Sequence, residues 1–333
     1  MKSKKQDLSK IISKFKNKNV LVVGDLILDH YILGKVDRIS PEAPVPVVWA
    51  NKEDFVCGGA ANVGLNLVSL GAKVSLCGIL GKDHFGKVLL DHITKGGIDT
   101  ALVIKDKSRP TTIKTRILAN HQQVVRVDWE SVEFLTYRMN KAILEKVEKT
   151  IDNFDAVIIE DYGKGMINPS LVGDLVSLCK KKKKIITVDP KEEHLDYYEN
   201  VTALTPNLKE AEVAANMKIR NKDQLPLLGE LIVEKLKPKA LLITLGEEGM
   251  MLFEDGRHHT IPTAALEVFD VSGAGDTVIA AFTLALATGA AFIDSAIIAN
   301  FAAGIVVGKL GAATISKKEL LKIINKTGAS GKD

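Results

Sequence analysis

Cysteine is scarce in this chain. Three residues, Cys57, Cys77 and Cys179, stand far apart in a sequence of 333. An odd, widely spaced set makes neither a disulfide framework nor a metal-ligand pattern, and it favours a reducing cytosol, hence a cytoplasmic protein. No charge of one sign dominates: 45 basic residues against 41 acidic ones leave a formal +4. That balance is too slight to argue for nucleic acid, although phosphorylated ligands would need only a local basic cluster. A long hydrophobic run is also missing. The most apolar region, near 278–308, is interrupted by Thr, Gly, Asp and Asn, which predicts two buried helices and no membrane span. The lysine-rich start, MKSKKQDLSKIISKFKNK, lacks the apolar stretch of a signal peptide. Its Leu8, Ile11, Ile12 and Phe15 recur at helical spacing, predicting a helix packed on the domain surface and not a membrane anchor.

What is present is alternation. Short apolar runs at 20–24, 74–80, 156–160, 185–189 and 241–245 read as buried parallel strands. Segments of helical period lie between them, at 59–70, 83–96, 137–152, 168–180, 208–217 and 223–236. Strands alternating with helices predict an α/β fold with a mostly parallel central sheet covered on both faces. Hydrophobic residues make up 46% of the chain, ample for such a core. Two stretches, 30–57 and 111–130, break the pattern; they are rich in β-formers and leave no room for a helix. They predict a small antiparallel sheet projecting as a lid. The large domain then comprises 1–29, 58–110 and 131–326, and 327–333 is a frayed tail.

The strongest chemical signal is Asp270-Val-Ser-Gly-Ala-Gly-Asp-Thr277, followed by an apolar, small-residue helix. A glycine-rich turn opening a helix gathers unpaired backbone N–H groups and the positive dipole end, which suits an anion such as a transferring phosphoryl group. Asp276 in the first turn is placed to take a proton from an attacking hydroxyl. The same residue would serve equally as a helix cap, with Gly275 supplying a turn. No GxxxxGK[ST] loop occurs, and the first strand ends Gly24-Asp25-Leu26 without a dinucleotide GxGxxG.

Gly273-Ala274-Gly275-Asp276-Thr277 resembles the C-terminal signature of the ribokinase-like (PfkB) carbohydrate kinases, and the likeness runs along nearly the whole chain. The resemblance implies the three-layer ribokinase-like fold with a β-sheet lid, and it assigns roles. Asp276 is the base, and the amides of Gly273, Ala274 and Gly275 form the anion hole. Gly58, Gly59 and Asn62, in Gly58-Gly-Ala-Ala-Asn62, approach the sugar, together with Asp25 or Asp29, of which Asp25 is favoured. Asn207-Leu208-Lys209-Glu210 resembles the motif that organises Mg2+ through water, with Glu210 as the metal-linked group. Thr244, Gly246 and Gly249 belong to a loop along the ATP, Asn300 borders the adenine, and Lys191 of Asp189-Pro-Lys191 assists the transferring group. Asp270 and Ser272 stand where relatives bind a monovalent cation, K+, with serine in place of the usual threonine.

Further peptides, among them Arg38-Ile-Ser-Pro-Glu-Ala-Pro, Arg109-Pro-Thr-Thr, Asn120-His-Gln-Gln123 with Arg126 and Asp128, and Asp161-Tyr-Gly-Lys-Gly165, resemble one subgroup, the D-glycero-β-D-manno-heptose-7-phosphate kinase domains of ADP-heptose synthesis. That likeness implies a sugar phosphate acceptor, with Asp161 near it and Arg38, Arg116 and Lys164 as candidate phosphate contacts. The uncovered apolar face of the small sheet, with Val45, Val47 and Trp49, together with the ribokinase-like resemblance, predicts a homodimer through the lid. No HxGH-type motif occurs, so a stand-alone kinase is expected, with a separate adenylyltransferase acting downstream. The alternatives are a ribokinase-like kinase for a hexose, fructose phosphate or nucleoside, and an idle relative that only binds nucleotide or sugar.

Overall fold

The computed structural model describes residues 7–120, 122–265, 267–309 and 313–329. The strand Asn19–Gly24 lies between two parallel neighbours, Lys73–Cys77 and Ala156–Glu160. Beyond the latter follow Ile185–Asp189, Ala203–Leu204 and Ala240–Thr244, all parallel. An antiparallel hairpin, Met250–Glu254 and Arg257–Ile261, completes the eight-stranded sheet at its far edge. Successive side chains of a strand point to opposite faces. Val20 and Val22 therefore join one core, with the helices Ala60–Ser69, Ala274–Ala287 and Phe292–Val306, while Leu21 and Val23 join another, with Tyr137–Thr150, Pro169–Lys181 and Leu225–Leu236. Strands buried on both faces are mostly apolar; the buried Thr187 in Ile185–Asp189 pairs with the Thr283 hydroxyl at 2.6 Å.

A second, four-stranded sheet runs in the order Pro46–Gly59, Leu26–Ile39, Thr112–Ala119, Gln122–Trp129. It is not antiparallel throughout, as the sequence suggests: its central pair, Leu26–Ile39 with Thr112–Ala119, is parallel. Both segments leave the large domain as outgoing strands, so their first strands point the same way. The run 74–80 divides at Gly78 into Lys73–Cys77 and Ile79–Gly81, the latter pairing with Ile104–Asp106 in a two-stranded sheet. The edge hairpin was not legible in the sequence.

The chain start forms the helix Leu8–Ser13 and a 3-10 turn, Lys14–Asn17, with Ile11, Ile12 and Phe15 buried. Among the described residues no helix is long and apolar enough to cross a membrane. The three cysteines are buried and unpaired. The last helix runs Lys317–Ala329, overlapping the expected frayed tail; 330–333 lie outside the described residues, as does His121 of the Asn120–Gln123 peptide.

Candidate active site

Every residue of Ala274–Ala287 from Asp276 onward is buried, so the helix is driven into the core by apolar residues on all sides. Ala274 and Gly275 are the exceptions, and the helix start stands at the junction of two cavities. Gly273 caps it at φ 75°, a left-handed conformation that a side chain would strain. Ala274 N–H closes a turn onto the Val271 carbonyl, and Thr277 N–H returns to Gly273. The Gly275 N–H has no acceptor among the described residues, as expected of a helix start awaiting an anion. Thr277 is tied to the neighbouring helix through Asn66, 3.1 Å away.

Asp276 is buried, and both its oxygens accept hydrogen bonds: Oδ2 from Asn62 Nδ2 at 2.5 Å, Oδ1 from the Tyr162 hydroxyl at 2.9 Å. Burial pushes its carboxyl above the usual range, while the two donors pull the other way. The Asn62 helix starts at Gly59, whose φ of 56° no β-carbon would tolerate, since one would lie 2.5 Å from the Asp25 carbonyl oxygen.

One cavity, of about 340 Å³, opens between this helix start and the small sheet. Sheet register decides its walls. Asp29, Lys114 and Asp128 form one cross-strand row, and Tyr31, Arg116 and Arg126 the next. Arg116 pairs with Asp29 and lies 5.3 Å from the Tyr31 ring centroid; Lys114 and Arg126 both reach Asp128, at 3.3 and 3.0 Å. Lys114, Arg116 and Arg126 thus share a cavity with Asn62 and Asp276.

The second cavity, of about 430 Å³, lies on the other side of the helix start, against Ala274 and Gly275. Val268, Val271, Val278 and Val307 make it apolar, and Thr244, Gly246 and Gly249 form one rim. Val268 and Val271 are exposed, as walls of an open cleft would be. Asn300 lines it too, its Nδ2 held by the Pro262 carbonyl at 2.7 Å.

Below the helix start, Glu160, Asp189 and Asp276 each place a carboxylate oxygen within 4.8 Å of the others. Glu160 and Asp189 end adjacent parallel strands in direct register. Glu160 is buried and neither carboxylate oxygen has a hydrogen-bond partner; Thr205 donates to Asp189 at 2.7 Å. Burial holds both carboxyls well above their usual range, with like-charged neighbours adding to it. An orphaned buried carboxylate beside two others fits a divalent cation such as Mg2+. Asp276 already accepts from Asn62 and Tyr162, which leaves Glu160 and Asp189 as the groups that would hold the cation.

Residues 17–319 match the pfkB family carbohydrate kinase. The chain belongs to that family. It is 44% identical over 304 residues to the bifunctional protein HldE of Geobacter sulfurreducens, spanning 91% of this chain but only 62% of that one. Its fold is shared by the phosphofructokinase-2 of Escherichia coli, solved in complex with potassium (TM-score 0.79, 18% identity, 93% and 99% of the two chains). It is shared too by the ribokinase of Arabidopsis thaliana, solved with ribose and ATP (TM-score 0.72, 22% identity, 92% and 98%).

Within this pfkB family chain, the structure brings some expected residues together and separates others. Gly273, Asp276, Gly58, Gly59, Asn62, Asp29 and Arg116 gather at the cationic cavity, with Ser272 at its edge; Ala274, Gly275, Thr244, Gly246, Gly249 and Asn300 line the apolar one. Asp25, favoured over Asp29 by the sequence, faces away. It is buried and spends its oxygens on the N–H groups of Tyr162, Lys164 and Met166, at 3.0, 3.1 and 3.3 Å. Asp161 likewise turns inward to His194 at 2.7 Å, to Gly163 N–H and to the Tyr198 hydroxyl. Arg38 is exposed near the far end of its long strand, opposite Val47. Lys164 pairs with Glu130 at 2.8 Å, outside the cavity lining.

Asn207 and Glu210 form a reciprocal capping box at 3.0 and 2.8 Å. Asn207 also bridges Thr244 on the cleft rim, and burial raises the Glu210 carboxyl. Leu208 packs against the core and Lys209 pairs with Glu192 at 2.9 Å. Lys191 pairs with Glu193 at 3.2 Å. Asp270 accepts from Ser272 N–H at 2.8 Å, in the turn before Gly273. Sequence reasoning missed Glu160, Asp189, Lys114, Arg126 and Tyr162 as site residues. The available signal was a carboxylate ending each of two apolar strands, at the strand ends where α/β sheets bind ligands.

Proposed function

We propose that this protein is an ATP-dependent kinase that phosphorylates the anomeric hydroxyl of D-glycero-D-manno-heptose 7-phosphate, giving the 1,7-bisphosphate for ADP-heptose and lipopolysaccharide core synthesis. The observation that carries the reading is the meeting of an apolar, glycine-rimmed cleft and a cation-lined cavity at one helix start bearing Asp276. An adenine suits the first and a sugar phosphate the second. The subgroup peptides and the 44% identity to a bifunctional HldE favour heptose over a hexose or nucleoside. Retention of Asp276 and the Asn207–Glu210 pair argues against an idle relative.

In this reading ATP lies along Thr244, Gly246 and Gly249, with its γ-phosphate at the Gly275 N–H. The sugar enters beneath the small sheet, which acts as a lid. Asn62 and Asp29 orient its hydroxyls, Arg116 holds Asp29, and Lys114 with Arg126 takes the phosphate already present. Asp276 accepts the proton of the attacking hydroxyl. Glu160 and Asp189, with Glu210 nearby, would hold Mg2+, which would supply charge neutralisation at the phosphates. Lys191 and a K+ at Asp270 and Ser272 complete the proposed electrostatics.

The proposal extends to assembly. Val125, Val127 and Trp129 alternate along an outer strand of the lid and are exposed, as are Val45 at 51% and Trp49 at 74%. A second copy pairing lid to lid would cover them. The enzyme would work in the cytoplasm. Arg126→Ala tests the acceptor: KM for the sugar phosphate should rise by about 10- to 100-fold, the worth of one charge-assisted contact. An unchanged KM would remove the phosphate from that cavity.

A further inference from the structure

The connection that follows Ala156–Glu160 is held more tightly than a surface loop requires. Asp25 takes the N–H groups of Tyr162, Lys164 and Met166, and Asp161 takes Gly163 N–H, His194 and Tyr198. Gly163 and Gly165 have φ of 67° and 82°, and a β-carbon at Gly165 would collide with the Glu133 carbonyl. Leu135 N–H closes onto the Gly165 carbonyl at 3.1 Å. Two buried carboxylates and two left-handed glycines thus fix one backbone path. None of these groups reaches either cavity, so their common product is the placement of the side chains the loop carries.

Two of those side chains face outward from it. The Tyr162 hydroxyl donates to Asp276 Oδ1 at 2.9 Å and lines the cationic cavity. Lys164 turns the other way, its Nζ 2.8 Å from Glu130 Oε1, immediately after the lid strand Gln122–Trp129. One short loop therefore touches the base at one residue and the lid two residues later.

We infer that Tyr162 is a positioning residue for Asp276, holding Oδ1 so that Oδ2 is the proton-accepting atom, on a loop that Lys164 couples to the lid. The inference rests on Asp276 being the base. Asn62, the donor on Oδ2, lines the same cavity, so an entering hydroxyl can take its place there. The Tyr162 hydroxyl comes from a loop pinned behind the cavity, and it keeps its hold on Oδ1. A carboxylate gripped by one oxygen cannot rotate away as the acceptor arrives, and that preserves the attack geometry. The Lys164–Glu130 pair joins this loop to the lid.

Tyr162→Phe removes one hydroxyl and keeps the ring. Steady-state kinetics with the sugar phosphate should show kcat falling about 10- to 100-fold, the worth of one hydrogen bond to a charged group, with KM for both substrates nearly unchanged. Lys164→Met should lower kcat in the same direction, and Lys164→Arg should restore it. A Tyr162→Phe enzyme within about threefold of wild-type kcat would overturn the inference, because a purely packing role predicts that result. A substrate-free double-mutant cycle supplies the second reading: Tyr162→Phe should lower the melting temperature of wild type but not of Asp276→Ala. Equal shifts in both backgrounds would show that the hydroxyl does not grip Asp276. A wild-type protein inactive on every sugar would fail the kinase reading instead, and the cycle would still decide the contact.

Discussion

Asn62 Nδ2 lies 2.5 Å from Asp276 Oδ2, joining residues 214 positions apart in sequence. One belongs to the helix that opens at Gly59, the other to the helix that opens at Gly273, and each helix points its start at the same cavity. The sugar-contacting and proton-accepting groups of the proposed reaction are thus set side by side by two glycine-capped helices packed on one face of the sheet.

Asp276→Asn keeps the size and the helix start but cannot take a proton. Turnover should fall by ~10² to 10⁴-fold, the usual worth of a general base, while ATP binding measured by calorimetry stays near wild type. A variant within tenfold of wild type, on the order of ordinary positioning effects, would remove Asp276 from that role.

Glu160 tests the buried carboxylate cluster through stability. Burial pushes its carboxyl well above 4.5 in the folded protein. The folded state then binds the proton more tightly than the unfolded one, so the group's stabilising contribution is full below 4.5 and is lost as pH rises. Glu160→Gln has no charge to bury. Without metal it should melt above wild type near pH ~8, and that gain should shrink towards pH ~4. Added Mg2+ should raise the melting point of wild type and not that of the variant. A variant that melts lower than wild type at the higher pH would contradict the cluster.

Much of this architecture was legible because it is local. Short apolar runs give the parallel strands, and Gly273-Ala-Gly-Asp276 announces its own turn and helix. What stayed hidden depends on direction and register. Asp25 and Asp29 are close in sequence, yet one faces the loop beneath the site and the other the cavity, and only the path of the strand decides which. Lys114 and Arg126 enter the cavity because Arg116 pairs with Arg126 and Lys114 with Asp128 across the lid, a register no spacing rule supplies. Arg38, on the same long strand as Asp29, lies too far along it to reach.

Glu210 sits one step further from the chemistry. Its carboxylate is engaged with Asn207 N–H at 2.8 Å, and its charge adds to those raising Glu160 and Asp189. Glu210→Gln should therefore shift the activity curve to higher Mg2+ with little change in KM for the sugar. An identical Mg2+ curve would take Glu210 out of the metal's surroundings.

The lid's outer face makes its own prediction. Trp129 is 62% exposed in the single chain, next to Val125 and Val127 on an alternating strand. Sedimentation at micromolar protein should give a dimer, and Val127→Asp should dissociate it. A wild-type monomer near 36.1 kDa would refute pairing through the lid and leave the assignment of the site untouched.

In the proposed reaction this pfkB family protein phosphorylates a heptose that already carries a phosphate. A coupled ADP-release assay, run with D-glycero-D-manno-heptose 7-phosphate, fructose 6-phosphate and an unphosphorylated hexose, measures it directly. kcat/KM for the heptose phosphate should exceed that for the unphosphorylated hexose by at least ~100-fold, the discrimination expected when a cationic site loses its partner, and should exceed that for fructose 6-phosphate as well. Equal or greater turnover of fructose 6-phosphate, or of the plain hexose, would contradict it.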